Sequence, residues 1–447
     1  MSLPRYPAYK DSGVAWLGEV PKHWGIAPFY SVAAEREEPN VGMQENNLLS
    51  LSYGRIVQKD INSNDGLLPE SFETYQVVRP GDIVFRLTDL QNDKRSLRTA
   101  IVEETGIITS AYVAAKPVSI EPRYLSQLFR AYDVTKVFYS MGGGLRQSMK
   151  FSDLKRLPTL LPPPEEQSAI AAFLDRETGK IDALVAEQEK LIALLKEKRQ
   201  AVISHAVTKS LPSTSSGQAA VKMKDTGIAW LGEVPEHWDV RKIRWLCEIK
   251  KRISGELGHD VLSITQQGIK IKDIESNDGQ ISMDYSKYQF VEVGDFAMNH
   301  MDLLTGYVDI SDIFGVTSPD YRVFSIMDKK VCYDRYLLYL FQMCYKNKIF
   351  YAFGQGSSQF GRWRLPTEQF NDFFFPLPPF EEQQIIASFL DRETAKLDAL
   401  TAEAQRGIEL LKERRSVLIS AAVTGKIDVR TFASSAVRED ERETEAT

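Results

Sequence analysis

The chain repeats two blocks of its own sequence, each after about half its length. Residues 10–24 recur at residues 224–238, where 12 of 15 positions are identical. Residues 161–184 recur at residues 377–400, where 18 of 24 positions are identical and both copies contain Phe-Leu-Asp-Arg-Glu-Thr. The sequences between these blocks differ in the two halves. The chain is therefore expected to build one framework twice and to present a different surface on each copy.

Composition limits the class of protein and its surroundings. The chain has 447 residues, 43% of them hydrophobic and 26% charged, which suits a soluble globular protein of two domains plus connectors. It contains no apolar run long enough to cross a bilayer, and its first residues lack a signal-peptide core. Cys247, Cys332 and Cys344 predict buried free thiols in a reducing compartment. We therefore expect a cytoplasmic protein, and the scattered cysteines and histidines predict no zinc site.

The net charge of −6 hides two basic stretches. Residues 431–447 carry five acidic and two basic residues, which accounts for half of the net charge. Residues 123–156 and 329–364 each contain seven lysines and arginines, just ahead of the second repeated block. Such clusters are either solvated surface or sites for a polyanion. Their duplication favours polyanion binding.

Each half begins with Trp-Leu-Gly-Glu-Val-Pro-x-His-Trp. Glycine and proline favour an irregular segment, and its tryptophans predict that it packs on the domain as a clamp. His23 and His237 have two interpretations, a catalytic group or a histidine beside a packing tryptophan, and the second is favoured. The variable region that follows contains a Ser-Asn-Asp-Gly turn in both halves, at residues 63–66 and 276–279, and then short apolar runs. We predict a compact mixed α+β domain in each half.

The second repeated block predicts a long helix in each half. Leu-Pro-Pro suits a helix start, and the acids after it favour the positive helix end. Asp-Arg-Glu-Thr is expected to break each helix into a short and a long piece. Because one apolar stripe needs a partner, we expect the two helices to pack on each other as an antiparallel pair. The apolar residues recur every three or four positions, as in a coiled coil: Ile170, Leu174, Ile181, Leu184, Leu191, Leu195 and Val202, then Ile386, Leu390, Leu397, Leu400, Leu411 and Leu418.

These motifs resemble those of the specificity subunits of type I restriction–modification systems. The resemblance extends from Tyr9 to about Val429 and includes both tryptophan segments, both Leu-Pro-Pro-x-Glu-Glu-Gln helices and Gly-Leu-Arg-Gln-Ser at residues 144–148. The second half departs from the last motif, because residues 356–364 read Gly-Ser-Ser-Gln-Phe-Gly-Arg-Trp-Arg. Contacts of that loop therefore do not transfer one by one between the halves.

The resemblance implies an α+β protein in which two target-recognition domains are joined by two long helices, packed as an antiparallel coiled coil with a pseudo-twofold repeat. Each domain would read one part of a split DNA target, and the helices would set the gap and dock two methyltransferase subunits. A restriction and translocase subunit would complete the complex. The expected segments are domains at 1–160 and 223–376, helical spacers at 161–209 and 377–430, a flexible linker at 210–222 and an acidic disordered tail at 431–447.

The sequence predicts that this chain binds and positions DNA rather than modifying it. Leu377-Pro378-Pro379-Phe380 lacks the polar residue that an adenine methyltransferase motif requires, and no phosphate-binding Gly-x4-Gly-Lys-Ser/Thr motif occurs. The resemblance implies S-adenosylmethionine in the methyltransferase partner and ATP with magnesium in the restriction partner, with no cofactor in this chain. Two alternatives stay open. S-adenosylmethionine binding would support a self-contained modifying enzyme, and a flat sequence preference would support a non-specific coiled-coil scaffold.

Base-reading residues are expected where matching loops differ between the halves, because shared residues cannot specify two different half-sites. Arginine and lysine suit guanine edges, and glutamine suits adenine edges, although each could instead hold a phosphate. The candidates are Arg146, Gln147 and Lys150 in the first half and Gln355, Gln359, Arg362 and Arg364 in the second. Candidates for partner docking, each of which could also be a solvated charge, are Glu187, Lys196, Arg199, Glu403, Lys412 and Arg415.

Overall fold

The computed structural model describes residues 3–61, 69, 71–88, 90, 97–141, 148–211, 222–273, 285–356 and 363–432. Its contacts divide the chain into two units. Unit 1 comprises Met1–Glu189 and Arg406–Thr447, and unit 2 comprises Lys190–Gln405. The Ser-Asn-Asp-Gly turns, most of the predicted linker and most of the acidic tail lie outside the described residues.

Unit 1 is built around a four-stranded antiparallel sheet in the order β4-β11-β8-β9. Four two-stranded ladders, β1-β2, β3-β12, β5-β6 and β7-β10, surround it. The strands are β1 (Tyr9–Asp11), β2 (Glu19–Pro21), β3 (Gly25–Pro28), β4 (Ala33–Glu35), β5 (Leu49–Ser52), β6 (Arg55–Gln58), β7 (Gln76–Val78), β8 (Ile83–Phe85), β9 (Thr99–Ile101), β10 (Gly106–Ile108), β11 (Val113–Pro117) and β12 (Pro158–Leu161). The helices are α1 (Pro122–Val134), α2 (Phe151–Leu154) and α3 (Pro164–Lys209), which continues into unit 2.

Unit 2 has the same strand order, with a central antiparallel sheet β16-β23-β20-β21 and ladders β13-β14, β15-β24, β17-β18 and β19-β22. The strands are β13 (Met223–Asp225), β14 (Glu233–Pro235), β15 (Asp239–Lys242), β16 (Cys247–Lys250), β17 (Leu262–Thr265), β18 (Gly268–Ile271), β19 (Gln289–Val291), β20 (Phe296–Met298), β21 (Val308–Ile310), β22 (Gly315–Thr317), β23 (Arg322–Ile326) and β24 (Phe374–Leu377). The helices are α4 (Asp334–Lys346), α5 (Ile349–Ala352), α6 (Thr367–Asp372) and α7 (Phe380–Val423), whose last residues belong to unit 1. The predicted mixed α+β class is confirmed.

Each unit takes its core from both repeated blocks and from both long helices. In unit 1, Trp24 of the tryptophan segment packs with the start of α3 and with Ala422 and Val423 at the end of α7. The Tyr124 hydroxyl donates to the carbonyl of Val423 at 3.4 Å. Unit 2 repeats this contact, since the Tyr336 hydroxyl donates to the carbonyl of Val207 near the end of α3 at 3.1 Å. Each domain therefore holds the last turns of the helix that starts in the other half of the sequence.

The expected break at Asp-Arg-Glu-Thr is wrong, because α3 and α7 run through it without interruption. The side chains of this motif have partners that are compatible with a continuous helix. Asp175 binds Arg123 of α1 at 3.1 Å, and Thr394 returns its hydroxyl to the carbonyl of Leu390 one turn earlier at 2.7 Å. The motif joins the helix to its domain.

The apolar stripe is only partly buried. Ile170, Leu174 and Ile181 are buried in unit 1. By contrast, Leu184 and Leu400, which occupy equivalent positions 216 residues apart, are 46% and 49% exposed. The heptad-like spacing therefore contains positions that neither unit covers. The three cysteines are buried and free, as the sequence predicts.

Candidate nucleic-acid interface

The candidate residues of unit 2 that the structure describes lie at the foot of one hairpin loop. Gln355 and Arg364 form an antiparallel bridge, with backbone N–H to oxygen distances of 2.8 and 3.0 Å. Both side chains are exposed. Gln359 and Arg362 lie between these two residues in the sequence, outside the described residues. The bridge places two candidate side chains, one amide and one guanidinium, next to each other at a solvent-facing edge.

Trp363 anchors the base of this loop, formed by Gln355 and Arg364, on unit 2. Its indole N–H donates to the carbonyl of Tyr351 at 2.7 Å, and its ring stacks on the Tyr351 ring at 5.1 Å. Gly354 and Gly356 lie so close to the indole that a Cβ at either position would clash with it. Close packing against the tryptophan therefore explains why both positions are glycine.

A buried arginine supports the other side of the loop, and the sequence analysis did not identify it. Arg322 is 3% exposed, and its guanidinium donates to the carbonyl of Leu365 at 3.1 Å and to Thr367 Oγ1 at 3.3 Å. It lies 4.3 Å over the ring of Phe370. Burial lowers the pKa of Arg322 to about 10. The side chain therefore positions the segment from Leu365 to the start of α6 at Thr367. A charged residue inside an apolar strand was its only sequence signal.

Unit 1 attaches its corresponding loop in the same way. The N–H of Met149 donates to the carbonyl of Leu87 at 2.9 Å, as the N–H of Leu365 donates to His300 in unit 2. Lys150 is exposed, and its backbone N–H is capped by Asp153 Oδ2 at 2.8 Å. Asp153 therefore caps the start of the short helix α2. Arg146 and Gln147 lie outside the described residues.

His300 gives this part of unit 2 a dependence on pH. Burial, together with the charges of Arg322 and Arg364, lowers the pKa of His300 to about 3. In the folded state His300 therefore stays neutral at pH values at which it is protonated in the unfolded chain. The free energy of unfolding consequently decreases as the pH falls below 6.5. We expect a loss of about 1–2 kcal/mol between pH 7.5 and pH 5 from this side chain.

Urea unfolding of His300→Gln at both pH values checks this expectation. The variant should lose less stability on acidification than the wild-type chain. His205→Gln, at an exposed position of α3, is the matched control and should lose as much stability between the two pH values as the wild type. Equal losses of stability on acidification in His300→Gln and the wild type would contradict the assignment.

Each repeated histidine contacts a glutamate at the start of the long helix of its unit, beside the packing tryptophan. His23 Nε2 lies 2.8 Å from Glu166 Oε2, and the Trp24 indole donates to the same oxygen at 3.1 Å. Unit 2 pairs the equivalent residues with Glu382, where His237 Nε2 lies 2.8 Å from Oε2 and the Trp238 indole donates to Oε1 at 3.1 Å. The Glu-Glu-Gln motif at the helix start thus binds the tryptophan segment of its own unit, and this pairing explains why the two blocks are duplicated together.

The docking candidates divide into exposed charges and ion pairs. Arg415 Nε lies 3.2 Å from Asp182 in unit 1, and Arg199 Nε lies 3.1 Å from Asp398 in unit 2. Each arginine therefore joins α3 to α7 within one unit. The remaining candidates, Glu187, Lys196, Glu403 and Lys412, are exposed.

Exposed leucines lie on the same two helices, within three residues of these charges in the sequence. Leu410 is 62% exposed in unit 1 and Leu194 is 52% exposed in unit 2, again 216 positions apart. Leu184 in unit 1 and Leu400 in unit 2 are exposed as well. We call Leu184 with Leu410, and Leu400 with Leu194, the leucine patches of units 1 and 2. Because Asp182 contacts Arg415 on the opposing helix, a rise of 1.5 Å per residue places Leu184 and Leu410 within about one turn of each other along the helix axis.

The described residues contain no group of three or more histidine, cysteine or acidic side chains that could hold a metal ion. Over the same residues, the structure has no helix that combines the length and apolar character needed to span a membrane.

Comparisons with known families, protein sequences and solved structures all find proteins of type I restriction–modification systems. A family model described as the type I restriction modification DNA specificity domain matches residues 235–410. The type I restriction enzyme MjaX specificity subunit of Methanocaldococcus jannaschii is 22% identical, with 93% of this chain and 96% of that protein aligned. The EcoBI specificity subunit of Escherichia coli is 21% identical over 60% of this chain and 58% of that protein. A chain solved in work on assembly and conformational transition of the type I R-M system has a TM-score of 0.63 at 14% identity, covering 90% of this chain and 98% of that one, so the two share a fold.

Proposed function

The chain belongs to the specificity subunits of type I restriction–modification systems, and from this premise we propose that units 1 and 2 each read one part of a bipartite DNA target. Its role is DNA recognition without catalysis. One observation supports the proposal that the units read different sequences. The two units have the same strand order, yet their candidate loops differ in sequence and in chemistry. In unit 2 that loop rests on Trp363 and Arg322, whereas unit 1 has Val113 at the position of Arg322 in the sheet register.

Phosphate contacts are expected from the basic stretches around these loops, since lysine and arginine positions supply affinity without sequence information. The base-reading candidates, Lys150, Gln355 and Arg364 among the described residues, are exposed as this role requires. Arg146, Gln147, Gln359 and Arg362 remain part of the proposal. Binding should weaken steeply with salt, because each neutralised phosphate releases counterions.

The two long helices are proposed to pair as an antiparallel coiled coil that sets the distance between half-sites. Two ion pairs support this arrangement, Asp182 with Arg415 and Asp398 with Arg199, because their positions differ by 216 residues and each joins α3 to α7. A fixed number of helical turns between domains would fix the number of base pairs between the half-sites.

The leucine patches are proposed to dock two copies of a methyltransferase subunit. Two equivalent apolar patches fit two copies of one partner, and exposed clusters of leucine are uncommon on helices that face only water. The neighbouring Glu187, Lys196, Glu403 and Lys412 would form the polar rim of each interface. S-adenosylmethionine would be bound by the methyltransferase subunit, and ATP with magnesium by the restriction subunit.

A map of modified bases in genomic DNA tests the proposal. DNA from the strain that carries this gene should contain methyladenine in both parts of a split motif, and the modification should vanish when the gene is deleted. A deletion strain that keeps every modified motif would contradict the proposed function. Binding of S-adenosylmethionine by the isolated chain would instead favour a self-contained enzyme, and equal affinity for all duplexes would favour a scaffold.

A further inference from the structure

Two equivalent hairpins pair in the same register but have different residues in their turns. In unit 1, β5 and β6 pair so that Ser52 faces Arg55, which leaves Tyr53 and Gly54 as the turn. In unit 2, β17 and β18 pair so that Thr265 faces Gly268, which leaves Gln266 and Gln267. The strand pairing is the same, and the turn residues are different. Such positions can specify two different half-sites.

Tyr53 is an unfavourable residue for the turn that it forms. Its φ is +44°, followed by +76° at Gly54, so both central residues are left-handed. Asparagine followed by glycine is the favoured pair in such a turn, and a bulky aromatic residue there is strained. The side chain is 74% exposed, so packing inside the unit does not offset the strain. An aromatic ring that the fold does not use points to a contact outside the domain.

Each turn is hydrogen-bonded to another part of its own unit. In unit 1 the carbonyl of Gly54 accepts a hydrogen bond from Arg130, which belongs to the basic stretch at residues 123–156, and a Cβ on Gly54 would clash with Leu97. In unit 2, Gln266 Nε2 donates to the carbonyl of Thr305 at 3.3 Å.

The same unit 2 loop also reaches the candidate hairpin. The N–H of Leu303, two residues before Thr305, donates to the carbonyl of Trp363 at 3.0 Å. The turn of unit 2 is therefore separated from the candidate loop of that unit by a single intervening loop.

We infer that these turns are a second DNA-contacting element, in which Tyr53 reads one half-site and Gln266 with Gln267 reads the other. The inference rests on the proposed function and adds residues to it. The Tyr53 ring suits apolar contact with a thymine methyl group, and its hydroxyl suits an acceptor on a base edge. The two glutamine amides suit the donor and acceptor pair of adenine.

Tyr53→Asn is the sharpest test, because asparagine fits the turn better while removing the ring. Thermal unfolding of the variant should match or exceed that of the wild-type chain. The base-modification map of a strain carrying Tyr53→Asn should show relaxed sequence preference at one position within one half of the motif. Discrimination at that position should fall about 5- to 100-fold. The other half of the motif should be unchanged.

Two further variants complete the design. The double replacement Gln266→Ala with Gln267→Ala should relax the opposite half of the motif. Tyr30→Asn, which removes a 60% exposed ring elsewhere in unit 1, should leave the motif unchanged. An unaltered motif in Tyr53→Asn, or equal relaxation of both halves, would overturn the inference while the proposed function stands. Absence of any split motif in the wild-type strain would overturn both.

Discussion

Replacing Trp24 with alanine is expected to destabilise unit 1 by about 3–5 kcal/mol, the range for deleting a large buried aromatic residue. Trp24 has no exposed surface, and its ring packs edge-on to Tyr6 with centroids 5.7 Å apart. Its indole N–H is also a partner of the Glu166 carboxylate, so the change removes a buried hydrogen bond in addition to the cavity that it leaves. Urea unfolding of the full chain, followed by a probe in unit 1, measures the loss.

Trp16→Ala is the matched control, because it removes the same side chain from the same repeated segment. Trp16 is 44% exposed and keeps one edge-on contact with Tyr132 at 4.7 Å, so a loss of about 1 kcal/mol is expected. Equal losses for Trp16→Ala and Trp24→Ala would show that the segment is not anchored through the buried indole. The Glu166→Gln variant then separates the charge from the hydrogen bond, since glutamine keeps an acceptor oxygen.

The duplicated segments show what the sequence alone could establish. Repetition identified the framework, and the spacing of Pro, Glu and Leu located α3 and α7 close to their observed starts at Pro164 and Phe380. It did not reveal that Glu166 binds His23 and Trp24, because residues 142 or more positions apart carry no periodic signal. The acids were explained by the helix dipole alone, whereas their main partners lie in the first repeated block.

The candidate interface was predicted less completely. Sequence difference between the halves identified Gln355 and Arg364, which the structure places side by side. It missed Arg322, because a buried arginine within a strand differs from a surface arginine only in its tertiary surroundings. It also missed Tyr53, since a positive φ belongs to the backbone and is not encoded by a tyrosine. Helical periodicity likewise could not separate a buried position such as Ile181 from the exposed Leu184, which follows it by three residues.

Replacing Leu410 with glutamate is expected to reduce the number of bound methyltransferase subunits from two to one. Leu410 is 62% exposed in the free chain, and burying one leucine at an interface contributes about 1.5–3 kcal/mol. Burying an unpaired carboxylate there instead costs several kcal/mol more, so affinity at that patch should fall by at least about 100-fold. Native mass spectrometry of the complex formed with the partner methyltransferase counts the subunits directly.

The duplicated patch provides an internal comparison for this prediction. Leu194→Glu should remove one methyltransferase subunit from the other patch, and the double variant with Leu410→Glu should bind none. Leu257→Glu, a 68% exposed leucine before β17 in unit 2, is the control and should keep both subunits. Lys412→Glu should change affinity by no more than about 5-fold, because exposed charge pairs contribute about 1 kcal/mol or less. If the double variant at Leu194 and Leu410 still binds two subunits, the docking surface lies elsewhere. If Lys412→Glu weakens binding more than Leu410→Glu does, the charged rim, and not the leucines, is the main source of affinity.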